Sequence, residues 1–438
     1  MQVLRGRLID GTGRPAIADG AIHVQGKKIT FAGPANSAPA VPPAADVIDL
    51  GPRTLLPGLI DCHAHPVPWP EGTDQAVPWA DELRVLHATP ILQRALRSGV
   101  TTIRNVGAPR HTAYSVKESV ERGIIDGPRL VVSGPIICPT GGHGHLGGGE
   151  ADGPDGVRRE ARKRFREGAE FLKLTATGGG TARTVRHRAT YTVDELRVAV
   201  DEARQHESYA TAHVHGTEGI VRCLDAGMPM LEHATFVGPD NREHFDSDVA
   251  ARIRDQNVVV VPTVQVYGRW AETCPGWIEN PGPDDLAEWQ ARFESLPYQL
   301  HPFPRLDKLS PREVATWRHR FDSFFKRVEL VGRLYEMGIV MLMGSDGAGR
   351  PAPIDDLGYG IALHVRAGVP PMEAVRSATA LAAKWIRVDG VTGTLEAGKE
   401  ADIIAVDGDP LIDITAMSRV EFVMARGRVA KSPCSATR

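Results

Sequence analysis

Short apolar runs rich in Val, Ile and Leu alternate along the chain with longer stretches in which apolar residues recur at helical spacing. Parallel strands joined by crossover helices produce this pattern. Eight such runs close at "LLPGLIDCHAH", "TTIRNVG", "RLVVSGPII", "FLKLTATGG", "YATAHVHG", "MPMLEHATFV", "NVVVVPTV" and "IVMLMGSD". Eight strand–helix units predict an α/β fold, a (β/α)8 TIM-like barrel, whose chemistry sits on the loops after the C-terminal ends of the strands. The two chain ends read differently. Residues 1–54 ("RLIDGTG", "AIHVQGKKITFAG", "ADVIDLG") and 391–438 ("KEADIIAVDGDPL", "VEFVMARGRVA") carry short β-like runs separated by turns. They predict one small β-sandwich domain built from both ends, beside a barrel spanning 55–390. An insert over residues 268–325, carrying Trp270, Trp277, Trp289 and Trp317, is too long for an ordinary barrel connection and reads as a lid or a subunit interface.

Ionisable residues fall at the ends of the apolar runs. His63, His65, Lys173, His213, His215, His233 and Asp346 all lie at or just after such an end, where a packed core would not concentrate them. His63 and His65 share one face of an extended segment, a geometry that suits a metal ion, although a lone His-x-His pair among 16 histidines also arises by chance. Lys173 ends an apolar strand, where an ammonium is poorly solvated and its pKa is driven down. A neutral amine there can add CO2 to give a carbamate able to bridge two metal ions; an isolated lysine can equally snorkel to solvent or pair with an acid. His213 and His233 close successive strands, and barrel closure would bring Asp346 beside His63 and His65. A shell of His, carbamate and Asp without thiolates suits Zn2+ or a similar first-row ion.

Composition narrows the classes. With 42% hydrophobic and 24% charged residues and a net charge of -3 over 438 residues, nothing calls for a nucleic-acid or membrane partner. The N-terminus lacks a charged segment followed by an apolar one, so a cytoplasmic location is expected. The five cysteines are scattered and odd in number, which fits free thiols in a reducing compartment.

The ordered set "DCHAH", "FLKLTATGG", "AHVHGTEGI", "LEHATFV" and "GSDG", with the tail "LEAGKEADIIAVDGDPL", resembles the amidohydrolase superfamily, and within it the prolidase-like and Xaa-Arg dipeptidase branch that includes ochratoxin amidohydrolases. The resemblance covers nearly the whole chain. It implies hydrolysis of an amide or peptide bond to a C-terminal amino acid, in a dipeptide, an N-acyl amino acid or an ochratoxin-like aromatic amide, by a hydroxide bridging two divalent ions, with Zn2+ the first choice. It further implies that His63, His65 and Asp346 hold the more buried ion and that His213 and His233 hold the second. Lys173, carboxylated by CO2, would bridge both. In "HVH" the ligand is taken as His213, which ends the apolar strand, and His215 then faces the substrate. "TGGHGH" resembles the family's glycine-rich third loop, making His143 a donor to the substrate carbonyl or carboxylate, and Tyr267 looks like the tyrosine that assists carbonyl polarisation. Asp346 would carry a proton to the departing amine. A homo-oligomer is also implied. Asn105, where relatives often have Asp, and the extra glycines after His145 depart from the pattern and bear on specificity. Arg183, Arg186, His187 and Arg188 form a basic run that could meet a substrate carboxylate or stand as a solvated loop. The competing reading is a mononuclear deaminase or a cyclic-amide hydrolase of the imidazolonepropionase type, against which Lys173 argues; a non-catalytic scaffold would need none of these ligands.

Overall fold

The structure, a computed structural model, describes residues 1–69, 80–266, 310–347 and 354–433. Seven strands from the two chain ends hydrogen-bond into one sheet. They are β1 (Gln2–Leu8), β2 (Ile17–Gln25), β3 (Lys28–Pro34), β4 (Asp46–Pro57), β12 (Ile403–Val406), β13 (Val420–Ala425) and β14 (Arg428–Lys431). The order is β14-β13-β12-β4-β1-β2-β3, and the antiparallel β12–β4 pair joins the C-terminal part to the N-terminal part. Alternation places Leu4, Ile22, Leu55, Ile403, Phe422 and Met424 in one apolar cluster. The two chain ends thus share one sheet, and a second layer of the expected sandwich is not seen among the described residues.

The central part consists of two wholly parallel sheets. One contains β5 (Leu59–Ala64), β6 (Val100–Asn105) and β7 (Arg129–Val132); the other contains β8 (Leu172–Thr175), β9 (Ala210–Gly216), β10 (Met230–Val237) and β11 (Val259–Val261). Helices separate these strands, among them α1 (Asp81–Arg97), α2 (Thr112–Glu121), α3 (Gly153–Glu167), α4 (Val193–Gln205), α5 (Thr217–Asp225) and α6 (Ser247–Asp255). Their ends follow local rules. Thr192 and Glu195 form a reciprocal capping box at the start of α4, and Gly168, in the left-handed conformation, ends α3. Isolated parallel bridges link the sheets: Ile137 with Leu174, Val260 with Met341, and Ala64 with Gly347. Downstream come α7 (Pro311–Glu336), α8 (Leu357–Arg366), α9 (Pro371–Ser377) and α10 (Ala380–Trp385).

The eighth apolar run differs from a regular strand. Residues 340–347 contact both neighbours through single bridges and backbone bonds such as Leu342 N–H to Val260 O and Cys62 N–H to Met343 O. A continuous ladder is interrupted because the Ser345 amide turns to the Asp61 carboxylate and Asp346 adopts φ 51°.

Side chains sort by strand face. Leu172, Leu174, Ala210, Ala212, Val214 and Leu231 pack into the large cluster that includes helix residues. Their alternates Phe171, Tyr209 and Met230 pack with Ile60, Cys62, Val131, Val259, Val261 and Leu342. Two residues further along β8, β9 and β10, the second face carries Lys173, Thr211 and Glu232, and above them stand the histidines.

Candidate metal and catalytic site

Parallel strands bring the expected residues together at their C-terminal ends. His63 Nε2 lies 3.4 Å and His65 Nε2 lies 3.6 Å from Asp346 Oδ1. The rings of His63 and His233 are 4.9 Å apart, and those of His213 and His215 lie 4.6 and 4.8 Å from His233. Among the described residues, two groups could each hold a cation: His63, His233 and Asp346, and His213, His215 and His233. His233 belongs to both.

Ring orientation follows from what each second nitrogen touches. His213 Nε2 faces Gly178 O at 3.2 Å, which acts only as an acceptor, so Nε2 carries the proton and Nδ1 presents its lone pair. That lone pair is 3.0 Å from His233 Nε2, whose Nδ1 is backed by Thr263 Oγ1 at 2.8 Å. The Thr263 hydroxyl can donate or accept; in the tautomer where His233 Nδ1–H donates to it, both facing nitrogens are free to hold a cation between them. His215 Nδ1 is backed by Thr235 Oγ1 at 2.9 Å. His65 Nδ1 lies 3.0 Å from Gly107 O and 3.2 Å from Trp69 Nε1, and His63 Nδ1 lies 2.7 Å from Glu232 Oε2.

Burial favours the neutral form of four of these rings, His65, His213, His215 and His233. Desolvation pushes His65 down to about 4 and His213, His215 and His233 well below the ordinary value. Lys173 is fully buried, which drives its amine down to about 8, with Glu232 and Asp346 pulling it upward and Arg104 downward. Asp346 is held below the usual carboxylate range: burial opposes ionisation, but the electrostatic pull and hydrogen bonding of the adjacent His63 ring, and then His65 and Lys173, outweigh it.

Backbone strain is concentrated here. His233, Thr263 and Asp346 take φ values of 68°, 48° and 51°, a region costly for non-glycine residues and above all for β-branched Thr. At Gly179 a Cβ would stand 2.5 Å from the His143 ring and 2.7 Å from His213 Nε2, so only glycine lets the loop after β8 close over both rings.

His143 lies beside His213, with ring centroids 4.4 Å apart. Its Nδ1 accepts the Thr181 N–H at 3.3 Å, which leaves the proton on Nε2. Burial lowers it to about 3. Of the basic run, Arg186 is close enough to lower both His143 and His215. Tyr267 lies outside the described residues, as does the insert from 268 to 309 with Trp270, Trp277 and Trp289.

Residues 54–430 match the model of the amidohydrolase family. The chain belongs to the amidohydrolase family. Ochratoxinase of Aspergillus niger is 26% identical over 468 residues, covering 98% of this chain and 86% of that protein. A solved prolidase complexed with N-methylphosphonate-L-proline superposes with a TM-score of 0.78 at 26% identity, over 98% of this chain and 99% of that one. A Xaa-Pro dipeptidase with bound methionine shares the fold at a TM-score of 0.76 and 24% identity, covering 98% and 99%. These neighbours match the prolidase-like branch of this amidohydrolase family, and the chain is a hydrolase of amide C–N bonds. Among the described residues, no helix is long and apolar enough to cross a membrane.

Three polar residues escaped the sequence reading. Asp61 accepts from His63 N–H, Ser345 N–H and Ser345 O–H at 3.0, 3.0 and 2.5 Å, stapling β5 to the segment that bears Asp346. Burial raises it to about 6, against the Ser345 and His63 hydrogen bonds. Arg104 and Glu232, both fully buried, pair at 2.6 Å beneath His63. The only sequence signal was a charge inside an otherwise apolar run, "TTIRN" and "MLEH".

Proposed function

We propose that this amidohydrolase releases a C-terminal amino acid from a small amide or dipeptide, using two divalent ions held at the strand ends of a closed (β/α)8 barrel. Barrel closure is supported by the three parallel bridges that link the sheets and the eighth run in sequence. The proposed division into 1–54, 55–390 and 391–438 is kept except at its first boundary, which moves to Pro57 because β4 pairs with β12 through Leu55, Leu56 and Pro57. The observation that carries the proposal is the convergence of His213 Nδ1 and His233 Nε2, 3.0 Å apart, with Asp346 close to both His63 and His65. His63, His65 and Asp346 would hold one ion, with Zn2+ well suited to the donors, and His213 and His233 the other. Lys173 as a carbamate would stand between them; its lowered pKa supports the neutral amine that CO2 addition requires. The 3.0 Å approach of His213 Nδ1 to His233 Nε2 supports His213 as the ligand, with His215 toward the substrate.

Bound divalent ions would polarise the scissile carbonyl and bring the pKa of a water into the neutral range. The protein supplies the rest. Asp346, ionised and partly exposed, receives a proton from the attacking water and passes it to the departing amine. His143 Nε2–H donates to the oxygen on which negative charge develops, a role that Tyr267 shares. Arg186, acting on His143 and His215 from the loop after β8, suits the carboxylate of the substrate. Relatives that act on a proline dipeptide analogue and on ochratoxin support dipeptides, N-acyl amino acids and aromatic amides as the classes to try.

The test is a mass-spectrometric screen of metal-replete enzyme against dipeptides, N-acyl amino acids and ochratoxin A, with ammonia followed in parallel. Release of a free C-terminal amino acid is expected. Ammonia release, with one ion per chain and an active Lys173→Ala variant, would establish the mononuclear alternative instead.

A further inference from the structure

Beneath the histidines lies an ion pair sealed from solvent. Arg104 on β6 and Glu232 on β10 are both fully buried, with Nη2 and Oε1 2.6 Å apart. Burying two charges is costly unless every donor and acceptor is satisfied, and the contacts here are nearly complete. Arg104 also donates through Nε to Cys62 O, places Nη1 2.7 Å from Met230 Sδ, and lies over the Phe171 ring at 5.3 Å. Glu232 Oε1 accepts a second bond from Thr211 Oγ1 at 2.6 Å. Its other oxygen, Oε2, is turned upward and meets His63 Nδ1 at 2.7 Å.

The backbone is built to allow this. In a regular strand consecutive residues point to opposite faces, so Glu232 and His233 could not both reach the interior. The left-handed φ of 68° at His233 and 46° at Ala234 breaks the alternation. Glu232 keeps the inward position that follows Met230, and His233 is turned in above it. On the opposite strand, the β5–β6 register shifts between Asp61 and Ala64, across His63. Two local irregularities thus converge on one contact between Glu232 and His63.

Charge bookkeeping defines what the contact does. An isolated carboxylate so close to a metal centre would compete for the ion or take up a proton. Arg104, which does not deprotonate in proteins, occupies Oε1 at 2.6 Å and leaves only Oε2 turned toward His63. The pair is neutral overall, so it orients His63 without adding net charge. A carboxylate accepting from Nδ1–H also makes Nε2 the free nitrogen and increases its basicity. The other histidines have only neutral backing: Gly107 O for His65, Gly178 O for His213, Thr235 for His215 and Thr263 for His233.

We infer that Arg104 and Glu232 are a positioning pair that fixes the His63 ring, presents its Nε2 beside Asp346, and makes the His63–His65–Asp346 half of the site the tighter metal half. This rests on the proposed two-ion reading.

The experiment is chelator competition on the full chain, which gives the affinity of each Zn2+ separately and does not depend on turnover. Glu232→Gln keeps an acceptor but strands the Arg104 charge and risks misfolding. The Arg104→Gln/Glu232→Gln double variant removes both charges and preserves folding. Wild type is expected to lose the His213–His233 ion first. The double variant should hold the His63 ion roughly 10- to 100-fold more weakly, with the other ion within about twofold of wild type. The cobalt-substituted spectrum should shift only for the tighter ion. Unchanged affinity of the His63 ion in a folded double variant overturns the inference, as does equal weakening of both ions, which would mark a merely structural role. A His63→Asn control separates the two levels: if it leaves metal content at wild-type levels, the two-ion reading itself falls.

Discussion

The strand ends that carry the histidines and the seven-stranded sheet at the chain termini are built from the same kinds of apolar runs, yet they use them in opposite ways. In the terminal sheet the inward positions are almost all apolar, and Leu4, Leu55, Ile403 and Phe422 are fully buried. At the site, β8, β9 and β10 bury Lys173, His213, His215, Glu232 and His233 on the face where the sheet would place Leu or Phe. Left-handed backbone occurs at His233, Thr263 and Asp346. The difference teaches where stability is made and where it is given up. Close packing in the terminal sheet and the outer helix layer offsets desolvated polar groups and strained dihedrals at the site.

That contrast can be broken at either end. The largest effect belongs to Asp346→Asn, which should lower kcat about 10^2- to 10^4-fold while leaving much of the metal in place; metal analysis beside steady-state rates checks it, and a near-normal rate refutes the proton-transfer role. Phe422→Ala in the terminal sheet should do the reverse, costing about 3–5 kcal/mol of stability with kcat per folded molecule unchanged. Urea titration with an active-site count would show it.

A third prediction concerns the border between the two regions. His364 lies on α8, which packs against the Ile414–Ser418 turn of the C-terminal segment. Burial lowers it from 6.5 to about 4. Between those values the unfolded chain binds the extra proton, so stability is complete above pH 6.5 and is lost as pH falls toward 4, by about 3 kcal/mol in all. His364→Leu should flatten the urea midpoint over that window; an unchanged slope would refute the assignment.

Lys173 offers a smaller, kinetic effect. With its amine at about 8, the neutral fraction grows about tenfold per pH unit below that value. Reactivation of metal- and CO2-depleted enzyme by bicarbonate and Zn2+ should accelerate accordingly and level off above pH 8. The smallest effect is at Thr263. Asn tolerates the left-handed region better and keeps a hydrogen-bonding side chain, so Thr263→Asn should raise apo stability by about 1 kcal/mol. A loss of stability would mean that Thr263 is not strained in the sense described.

Much of this was legible in the sequence because two simple periodicities carried it. Alternation within "FLKLT" and "TAHVHG" places Lys173, His213 and His215 on one face, and strand ends gather chemistry whatever the intervening helices are. The resemblance then supplied roles that spacing could not. Other features were invisible for physical reasons. Glu232 and His233 are neighbours, and a reader of alternation assigns them to opposite faces; only the left-handed turn at His233 unites them. The partnership of Arg104 with Glu232 spans two strands and has no local signature. The eighth run was recognised by its apolar residues, but its broken ladder comes from Asp61 taking the Ser345 amide, a contact made after folding.

The Asp61–Ser345 staple has a consequence in time. Its partners are separated by 284 residues, so the two halves of the His63–Asp346 pair meet only after most of the chain has left the ribosome. The β4–β12 pairing, which needs residues beyond 400, comes later still. During synthesis, therefore, the emerging segments hold at most part of the donor set. The residues of the site are complete only late in synthesis, when the segment bearing Asp346 reaches β5.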